Sequence, residues 1–255
     1  MEAAAIEIVP YFDDNFAYLI HCSNSGKTAL VDCGDFEPVR QRLQEKKWSL
    51  DMILLTHSHY DHAGDVQSAV DQWPEVKIVK PADDSRIKVD GLEAHDGDQF
   101  ELGEIKIKAI SVPAHTKFCT SYHVDNRVFC GDALFSAGCG RLFEGTAADL
   151  EKSMDRFLQC NEDTLFYVGH EYTLSNIEFA ASIEPDNKDI LNYKADVKNK
   201  IDSGGFSTPT TISTEKKVNP FFRIDCESVI QNIDPENGLG RTERMGLLRN
   251  KKDNF

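Results

Sequence analysis

The stretch that decides the fold is Thr56-His57-Ser58-His59-Tyr60-Asp61-His62, which directly follows the apolar run Met52-Ile53-Leu54-Leu55. A short aliphatic run of this kind predicts a β-strand, and the polar cluster after it predicts a tight loop that leads into a helix. In such a loop the three imidazoles and the carboxylate can all turn toward one point. Imidazole and carboxylate groups that meet at one point are metal ligands, so the stretch predicts a metal site at the end of a strand.

The same succession of an apolar run and a polar cluster recurs further along the chain. The runs that predict strands are Ile105–Val112, Val128–Cys130 and Leu165–Val168. The candidate ligands that follow them are His115, Asp132 and His170. Helical patterns lie between the strands, over 39–47, 65–72 and 147–160, the last with Thr146 as its N-cap and Asp149 three residues on. This alternation predicts an α/β fold.

After Tyr172 the apolar pattern changes to a helical period. It predicts two helices that are separated at Pro185, the second of which ends at Gly204-Gly205. We therefore expect a catalytic domain over residues 1–172 and a helical, substrate-binding domain over residues 173–255. The last fifteen residues carry a local charge of +3.

Composition excludes some classes of function. The 255 residues include 28 Lys and Arg against 43 Asp and Glu, a net charge of −15, which disfavours binding to nucleic acid or to anionic membranes. The sequence shows neither a long apolar stretch nor a targeting pattern at its N-terminus, so we expect a cytoplasmic protein. The seven cysteines form no C-x-x-C pair, and we expect them to be reduced.

The types of the candidate ligands indicate the kind of metal site. A structural zinc site needs four ligands that usually include cysteine, and no cysteine is placed to supply one. Histidine and carboxylate ligands alone leave open positions and suit a hydrolytic site. The candidates exceed the needs of one ion, whereas two ions that share Asp132 as a bridge would use all of them. The seven candidates are His57, His59, Asp61, His62, His115, Asp132 and His170.

These residues resemble the metallo-β-lactamase superfamily, and a further set of motifs is similar to one family within it. That family is glyoxalase II, the hydroxyacylglutathione hydrolases. The segments that carry the closer resemblance are Pro10–Leu19, Gly131–Phe135, Ala137–Arg141, Glu144–Thr146, Gly169–Thr173, Asn219–Phe221 and Arg249–Asp253.

The resemblance implies a fold and a metal centre. The fold is a four-layer αββα sandwich followed by a small C-terminal α-helical domain. The centre holds two divalent metal ions, with zinc as our expectation and iron or manganese as alternatives. By position, one ion would take His57, His59 and His115, the other would take Asp61, His62 and His170, and Asp132 would bridge them.

The resemblance also implies a reaction, the hydrolysis of S-(2-hydroxyacyl)glutathione, typically S-D-lactoylglutathione, to D-lactate and glutathione during methylglyoxal degradation. A hydroxide that bridges the two ions would attack the thioester carbonyl, with Asp61 as the catalytic residue that orients it. We expect a monomer whose partner is the glutathione thioester. The residues that would bind this substrate are Arg141, Leu142, Phe143, His170, Glu171, Tyr172, Arg249 and Lys252.

Other functions stay open at this point. A one-iron persulfide dioxygenase would leave Asp61 and His62 without a metal, and a lactonase or β-lactamase would not need the basic tail. RNA processing is disfavoured by the charge, and a binding protein on a degenerate fold is disfavoured because all seven candidate ligands are present. Cys119 or Cys139 as a nucleophile would lack a base, since the nearby histidines are assigned to metal.

Overall fold

The computed structural model describes residues 4–255, which form two compact units. The first unit runs up to Ser111 and includes Phe118–Gly131, and the second comprises Val112–Lys117 and Asp132–Phe255. The expected domain boundary between residues 172 and 173 falls inside the second unit and stays a prediction.

A six-stranded mixed sheet organises the first unit, with its strands side by side in chain order. Its first three strands pair antiparallel, and the remaining pairs are parallel. The strands are β1 (Ala4–Tyr11), β2 (Asn15–Cys22), β3 (Thr28–Val31), β4 (Met52–Leu54), β5 (Lys77–Pro81) and β6 (Leu92–Ala94). The parallel register sets Val31 beside Leu54, so the loops that follow β3 and β4 emerge next to each other.

Helices cover one face of this sheet. They are α1 (Phe36–Lys46), α2 (Tyr60–Ala63) and α3 (Val66–Gln72). Val39 and Leu43 of α1 and Ala69 of α3 share an apolar core with the buried faces of the central strands. The helix predicted to begin at Val39 begins at Phe36, because Asp35 caps it and Pro38 is tolerated in a first turn.

Four antiparallel strands of a second sheet lie on the other face of the first sheet. They are β7 (Gln99–Leu102), β8 (Ile105–Ser111), β9 (Thr120–Val124) and β10 (Arg127–Gly131). The Tyr122 hydroxyl donates to the carbonyl of Leu55 at 2.8 Å, and the rings of Tyr18 and Phe129 lie 5.5 Å apart. These contacts join the two sheets.

The second unit is mainly helical. Its elements are α4 (Ala147–Leu158), β11 (Leu165–Val168), α5 (Thr173–Ile183), α6 (Lys188–Asp202), β12 (Thr210–Thr211), α7 (Ile212–Val218), α8 (Glu227–Ile233) and α9 (Arg241–Asp253). Thr146 and Asp149 form the predicted capping box of α4. The helices predicted on either side of Pro185 are α5 and α6, and Gly204 has the positive φ of 83° that ends the second.

The predicted strands are confirmed, with shifts of at most one residue at their ends. All seven cysteines are free, and five of them are buried. Among residues 4–255, no helix combines the length and the apolar character needed to cross a bilayer.

Candidate functional site

The loop after β4 brings two of the predicted ligands of the first unit together. His57 Nε2 and His59 Nδ1 lie 3.1 Å apart. Two nitrogens bound to one ion at ~2.1 Å are separated by about 3 to 3.4 Å, so this distance suits two ligands of the same ion. His57 is fully buried and His59 is half-buried.

Asp61 and His62 lie on the short helix α2, which starts one residue after His59. His62 Nε2 and the Asp61 carboxylate are 3.5 Å apart, and the ring centroids of His57 and His62 are 4.2 Å apart. His62 is buried, and the Asp61 side chain is 37% exposed. The helix therefore turns all four side chains of the motif into one small region of the first unit.

Asp32, a residue for which the sequence suggested no role, orients two of these histidines. Its carboxylate accepts hydrogen bonds from the Thr56 amide and hydroxyl and bonds to His62 Nδ1, all at 2.8 Å. The Thr56 hydroxyl lies 3.0 Å from His57 Nδ1. Because each Nδ1 is held in this way, each Nε2 is left as an electron-pair donor, the arrangement that usually supports metal-bound histidine.

Asp61 is held from β1 and β2. Asn15 Nδ2 donates to the Asp61 carboxylate at 3.0 Å, and the Tyr11 hydroxyl donates to the Asp61 carbonyl oxygen. Both residues belong to the segment Pro10–Leu19 that carried part of the resemblance. Their structural role there is to fix the backbone and the side chain of Asp61.

In the second unit Asp132 lies between two histidines. Its Oδ2 atom is 3.5 Å from His115 Nε2 and 3.4 Å from His170 Nε2. All three side chains are buried. His115 Nδ1 lies 2.9 Å from the carbonyl oxygen of Arg141, so this ring also presents Nε2 toward Asp132. Three candidate ligands of the second unit therefore converge on a single carboxylate oxygen.

Aromatic side chains flank these histidines. The Tyr172 ring stacks on His170, with centroids 4.6 Å apart and planes within 9°. The Phe143 ring meets the edge of His115 at 5.2 Å and is 59% exposed. Glu171 accepts hydrogen bonds from the amide and hydroxyl of Ser207, and Leu142 is half-buried. Phe143 and Tyr172 thus offer exposed apolar surface to a ligand.

Of the three cations predicted to bind substrate, two contact Asp253 and the third, Lys252, precedes it in the sequence. Arg141 and Arg249 both donate to Asp253 Oδ1, at 3.0 and 3.2 Å. Arg249 is buried and also donates to the Cys139 carbonyl oxygen at 2.7 Å, whereas Arg141 is exposed. The pKa of Lys252 is lowered. The larger cause is burial of its ammonium group, and the second is repulsion from the charge of Arg249.

Two cysteines were considered in the sequence as alternative nucleophiles. Cys119 and Cys139 are buried, and burial raises the pKa of the Cys139 thiol despite the nearby Arg249. A thiol with a raised pKa is a poor source of thiolate at neutral pH. The geometry therefore adds to the argument against a cysteine nucleophile at Cys139.

Comparison with known families covers nearly all of the chain. The model described as "Metallo-beta-lactamase superfamily" matches residues 10–170, and that described as "Hydroxyacylglutathione hydrolase C-terminus" matches residues 171–255. The hydroxyacylglutathione hydrolase of Cronobacter sakazakii is 38% identical over 97% of this chain and 98% of its own. That of Maricaulis maris is 38% identical over the whole of both chains.

The chain belongs to the hydroxyacylglutathione hydrolase family of the metallo-β-lactamase superfamily. The resemblance seen in the sequence is therefore confirmed. Members of this family are thiolester hydrolases.

Solved structures agree on the fold. The crystal structure of ETHE1 from Myxococcus xanthus matches with a TM-score of 0.66 at 24% identity, over 98% of this chain and 100% of that one. TTHA1623 in a di-iron-bound form matches with a TM-score of 0.62 at 20% identity, over 84% of this chain and 98% of that one. The α/β class, the metallo-β-lactamase fold and the helical C-terminal part are confirmed.

His57, His59, Asp61 and His62 cluster in the first unit, and His115, Asp132 and His170 cluster in the second. Together with the metallo-β-lactamase fold, this donor set indicates a dinuclear metal site.

Proposed function

We propose that the protein is a metal-dependent thioesterase that hydrolyses S-(2-hydroxyacyl)glutathione, typically S-D-lactoylglutathione, to D-lactate and glutathione. The observation that carries the proposal is the buried Asp132 oxygen, which lies at 3.4 to 3.5 Å from both His115 and His170. Membership of the hydroxyacylglutathione hydrolase family supplies the substrate class.

The proposed ligand sets follow the resemblance. By the resemblance, His57, His59 and His115 would hold one ion, Asp61, His62 and His170 would hold the other, and Asp132 would be shared between them. The donor chemistry fits, because each set combines imidazole nitrogens with carboxylate oxygen, and Nδ1 atoms of three of the histidines are engaged by Asp32, Thr56 or a carbonyl oxygen. Zinc is the ion we propose, and these ligands also suit iron or manganese.

When bound, a pair of divalent ions supplies a water of lowered pKa and polarises the thioester carbonyl. The residues of the chain would orient the attacking oxygen and hold the substrate. Asp61, whose carboxylate is held by Asn15, would orient the attacking oxygen. Phe143 and Tyr172 would contact the apolar parts of the substrate beside His115 and His170. The thiolate of glutathione leaves readily, so no strong general acid is needed.

Cations near α9 would recognise the two carboxylates of glutathione. Arg141 is exposed, and Lys252 lies half-buried over the rings of Phe179 and Phe255, at 5.2 and 5.6 Å. Arg249 donates hydrogen bonds to Asp253 and to the Cys139 carbonyl oxygen, and it adds a third positive charge to this region. A charged pocket of this kind is compatible with the anionic protein, because screening limits the remaining charges to a range of ~8 Å.

The test is direct hydrolysis. Metal-loaded protein is expected to consume S-D-lactoylglutathione, followed by the loss of thioester absorbance, and to release glutathione and D-lactate in equal amounts. Chelator-treated protein serves as the control and should recover activity when Zn²⁺ is restored. Cleavage of a lactone or a β-lactam, with no turnover of the glutathione thioester, would contradict the proposal.

Replacement of Arg141 or Lys252 by Ala is expected to raise KM for the glutathione substrate by about tenfold, because a hydrogen bond to a charged group contributes about 1.5 kcal/mol or more. kcat should change little. The control substrate is a small uncharged thioester, for which KM should stay at the wild-type value. Equal rises in KM for both substrates would show that these cations do not bind glutathione.

Replacement of Gly140 by Ala is expected to weaken metal binding by at least about tenfold, as disturbance of outer-shell contacts usually does. A Cβ at this position would lie 2.1 Å from the Asp132 carbonyl oxygen and 2.9 Å from His115 Nδ1. Gly238→Ala is the matched control, since a Cβ there meets no atom within 4 Å. Equal Zn²⁺ affinities in the two variants would contradict the assignment of His115 and Asp132.

The remaining parts of the proposal concern organisation and surroundings. We propose that residues 1–172 carry the catalytic chemistry and residues 173–255 the substrate-binding helices, which is supported by the separate family models on either side of residue 170. We further propose a cytoplasmic monomer that binds neither nucleic acid nor membranes. The net charge of −15 and the seven free thiols support this.

A further inference from the structure

We propose that Glu215 is a positioning residue for this reaction: it fixes the loop Ser136–Arg141, and that loop orients His115 and Asp132. This role rests on the proposed function, since it acts through two of the proposed metal ligands. Glu215 lies on α7, outside every segment that carried the family resemblance.

Glu215 is a carboxylate buried at 0% exposure that is satisfied entirely by hydrogen bonds. Its Oε1 accepts from the hydroxyls of Ser136 and Thr210 at 2.8 and 2.7 Å. Its Oε2 accepts from the Ala137 amide at 2.8 Å and from Asn219 Nδ2 at 2.9 Å. Two of these four donors, Ser136 and Ala137, are in the loop.

Burial of the Glu215 carboxyl group costs free energy, because the group loses its contact with water. Burial raises the pKa of Glu215, and the four hydrogen bonds oppose that effect. Within residues 4–255 no Lys or Arg forms an ion pair with Glu215, so hydrogen bonds alone hold its carboxyl group. An apolar side chain at position 215 would stabilise the fold without this loss of hydration. The carboxyl group is therefore better explained by the directed hydrogen bonds that it makes to the loop.

The loop needs to be held because its backbone is unusual. Ala137 has a φ of +56°, in the left-handed region that non-glycine residues seldom adopt. Its amide in this conformation points at Glu215. Asn219 also donates to the Gly138 carbonyl oxygen at 3.0 Å, and Asn176 donates to that of Ser136 at 3.1 Å. Glu215 therefore holds the first residues of the loop in place, and the hydrogen bonds from Asn176 and Asn219 fix the backbone of the same segment.

The other end of the loop contacts the proposed ligands. The Arg141 carbonyl oxygen holds His115 Nδ1 at 2.9 Å. Gly140 packs so closely on Asp132 and His115 that no side chain fits between them. A shift of the loop would thus change the direction of both ligands, although Glu215 contacts neither.

Glu215→Gln tests this role, because it keeps the size of the side chain and replaces one acceptor oxygen by an NH₂ group that faces donors. We expect its Zn²⁺ dissociation constant, measured by competition with a chromogenic chelator, to rise by about tenfold. We also expect kcat for S-D-lactoylglutathione to fall about tenfold, in step with the weaker metal binding.

Glu184→Gln is the matched control. Glu184 is also a buried carboxylate of the same unit, but it pairs with Arg223 and Ser228 and makes no hydrogen bond to the loop. This variant should lower Tm and keep the wild-type Zn²⁺ affinity and kcat. If Glu215→Gln behaves in the same way, with only Tm lowered, the positioning role is wrong.

Ser136→Ala decides the matter if Glu215→Gln does not fold. It removes one of the four donors, and we expect Zn²⁺ affinity to fall by about two- to fivefold, the range that loss of one ordinary hydrogen bond produces. Wild-type affinity in Ser136→Ala would overturn the inference. Wild-type protein that binds no Zn²⁺ and cleaves no thioester would instead contradict the proposed function.

Discussion

Asp132→Ala is expected to lose hydrolysis of S-D-lactoylglutathione by at least about 10³-fold, because stabilisation by bound metal contributes several kcal/mol and each ~1.4 kcal/mol is a factor of ten. The same oxygen of Asp132 lies at 3.5 Å from His115 and 3.4 Å from His170. Its loss should therefore weaken both metal sites at once. Metal content per chain and the rate of thioester hydrolysis, measured on the same preparation, check this.

Asp234→Ala is the control for Asp132→Ala. Asp234 is a buried aspartate of the same unit whose carboxylate accepts from the amides of Gly238 and Leu239. Its removal should cost about 1 kcal/mol of stability, the usual contribution of a hydrogen bond, and leave metal content unchanged. An Asp132→Ala protein that keeps two ions and full activity would contradict the bridging assignment.

Asp32→Asn is expected to weaken Zn²⁺ binding and to lower kcat by about 10- to 100-fold, the usual cost of losing an outer-shell carboxylate. The substitution keeps the shape of the side chain. It replaces a carboxylate that holds His62 Nδ1 and the Thr56 hydroxyl, each at 2.8 Å, by a neutral amide. The orientation of His62, and through Thr56 that of His57, then loses its support.

Asp51→Asn provides the comparison for Asp32→Asn. The Asp51 carboxylate also accepts a backbone amide of β3, that of Thr28 at 3.0 Å, and pairs with Lys27 at the surface. It makes no hydrogen bond to a histidine of the motif. Zn²⁺ affinity should stay at the wild-type value in this variant, and a loss equal to that in Asp32→Asn would show that the effect is one of general stability.

The strongest pattern in the sequence concerns the candidate site. A ligand cluster directly after the run Met52–Leu55 could be recognised because strand ends and ligand spacing are local features of a sequence. His115, Asp132 and His170 followed the same pattern at three more strand ends. In the second unit these three residues do lie together around one oxygen.

Asp32 was missed although a signal for it existed. It follows the apolar run Thr28–Val31 as a polar residue at a strand end, just as Asp132 follows β10. Its role depends on the parallel register of β3 with β4, which sets it beside Thr56. Register between strands is decided by packing in three dimensions, and a single sequence does not reveal it.

Glu215 and Arg249 could not have been placed from the sequence for a related reason. Glu215 stands in the polar run Ser213-Thr214-Glu215-Lys216-Lys217, and yet it is fully buried. Arg249 was expected to bind the substrate, and its side chain lies buried against Cys139 and Asp253. In both cases a partner distant in the sequence determines the burial of a charged side chain.

The measurement that tests the central claim most directly is a Zn²⁺ titration of metal-free protein, with hydrolysis of S-D-lactoylglutathione followed at each step. We predict no activity without metal, a rise with added Zn²⁺ and a plateau at two bound ions per chain. Full activity in the metal-free protein, or two bound ions with no hydrolysis of the thioester, would contradict it.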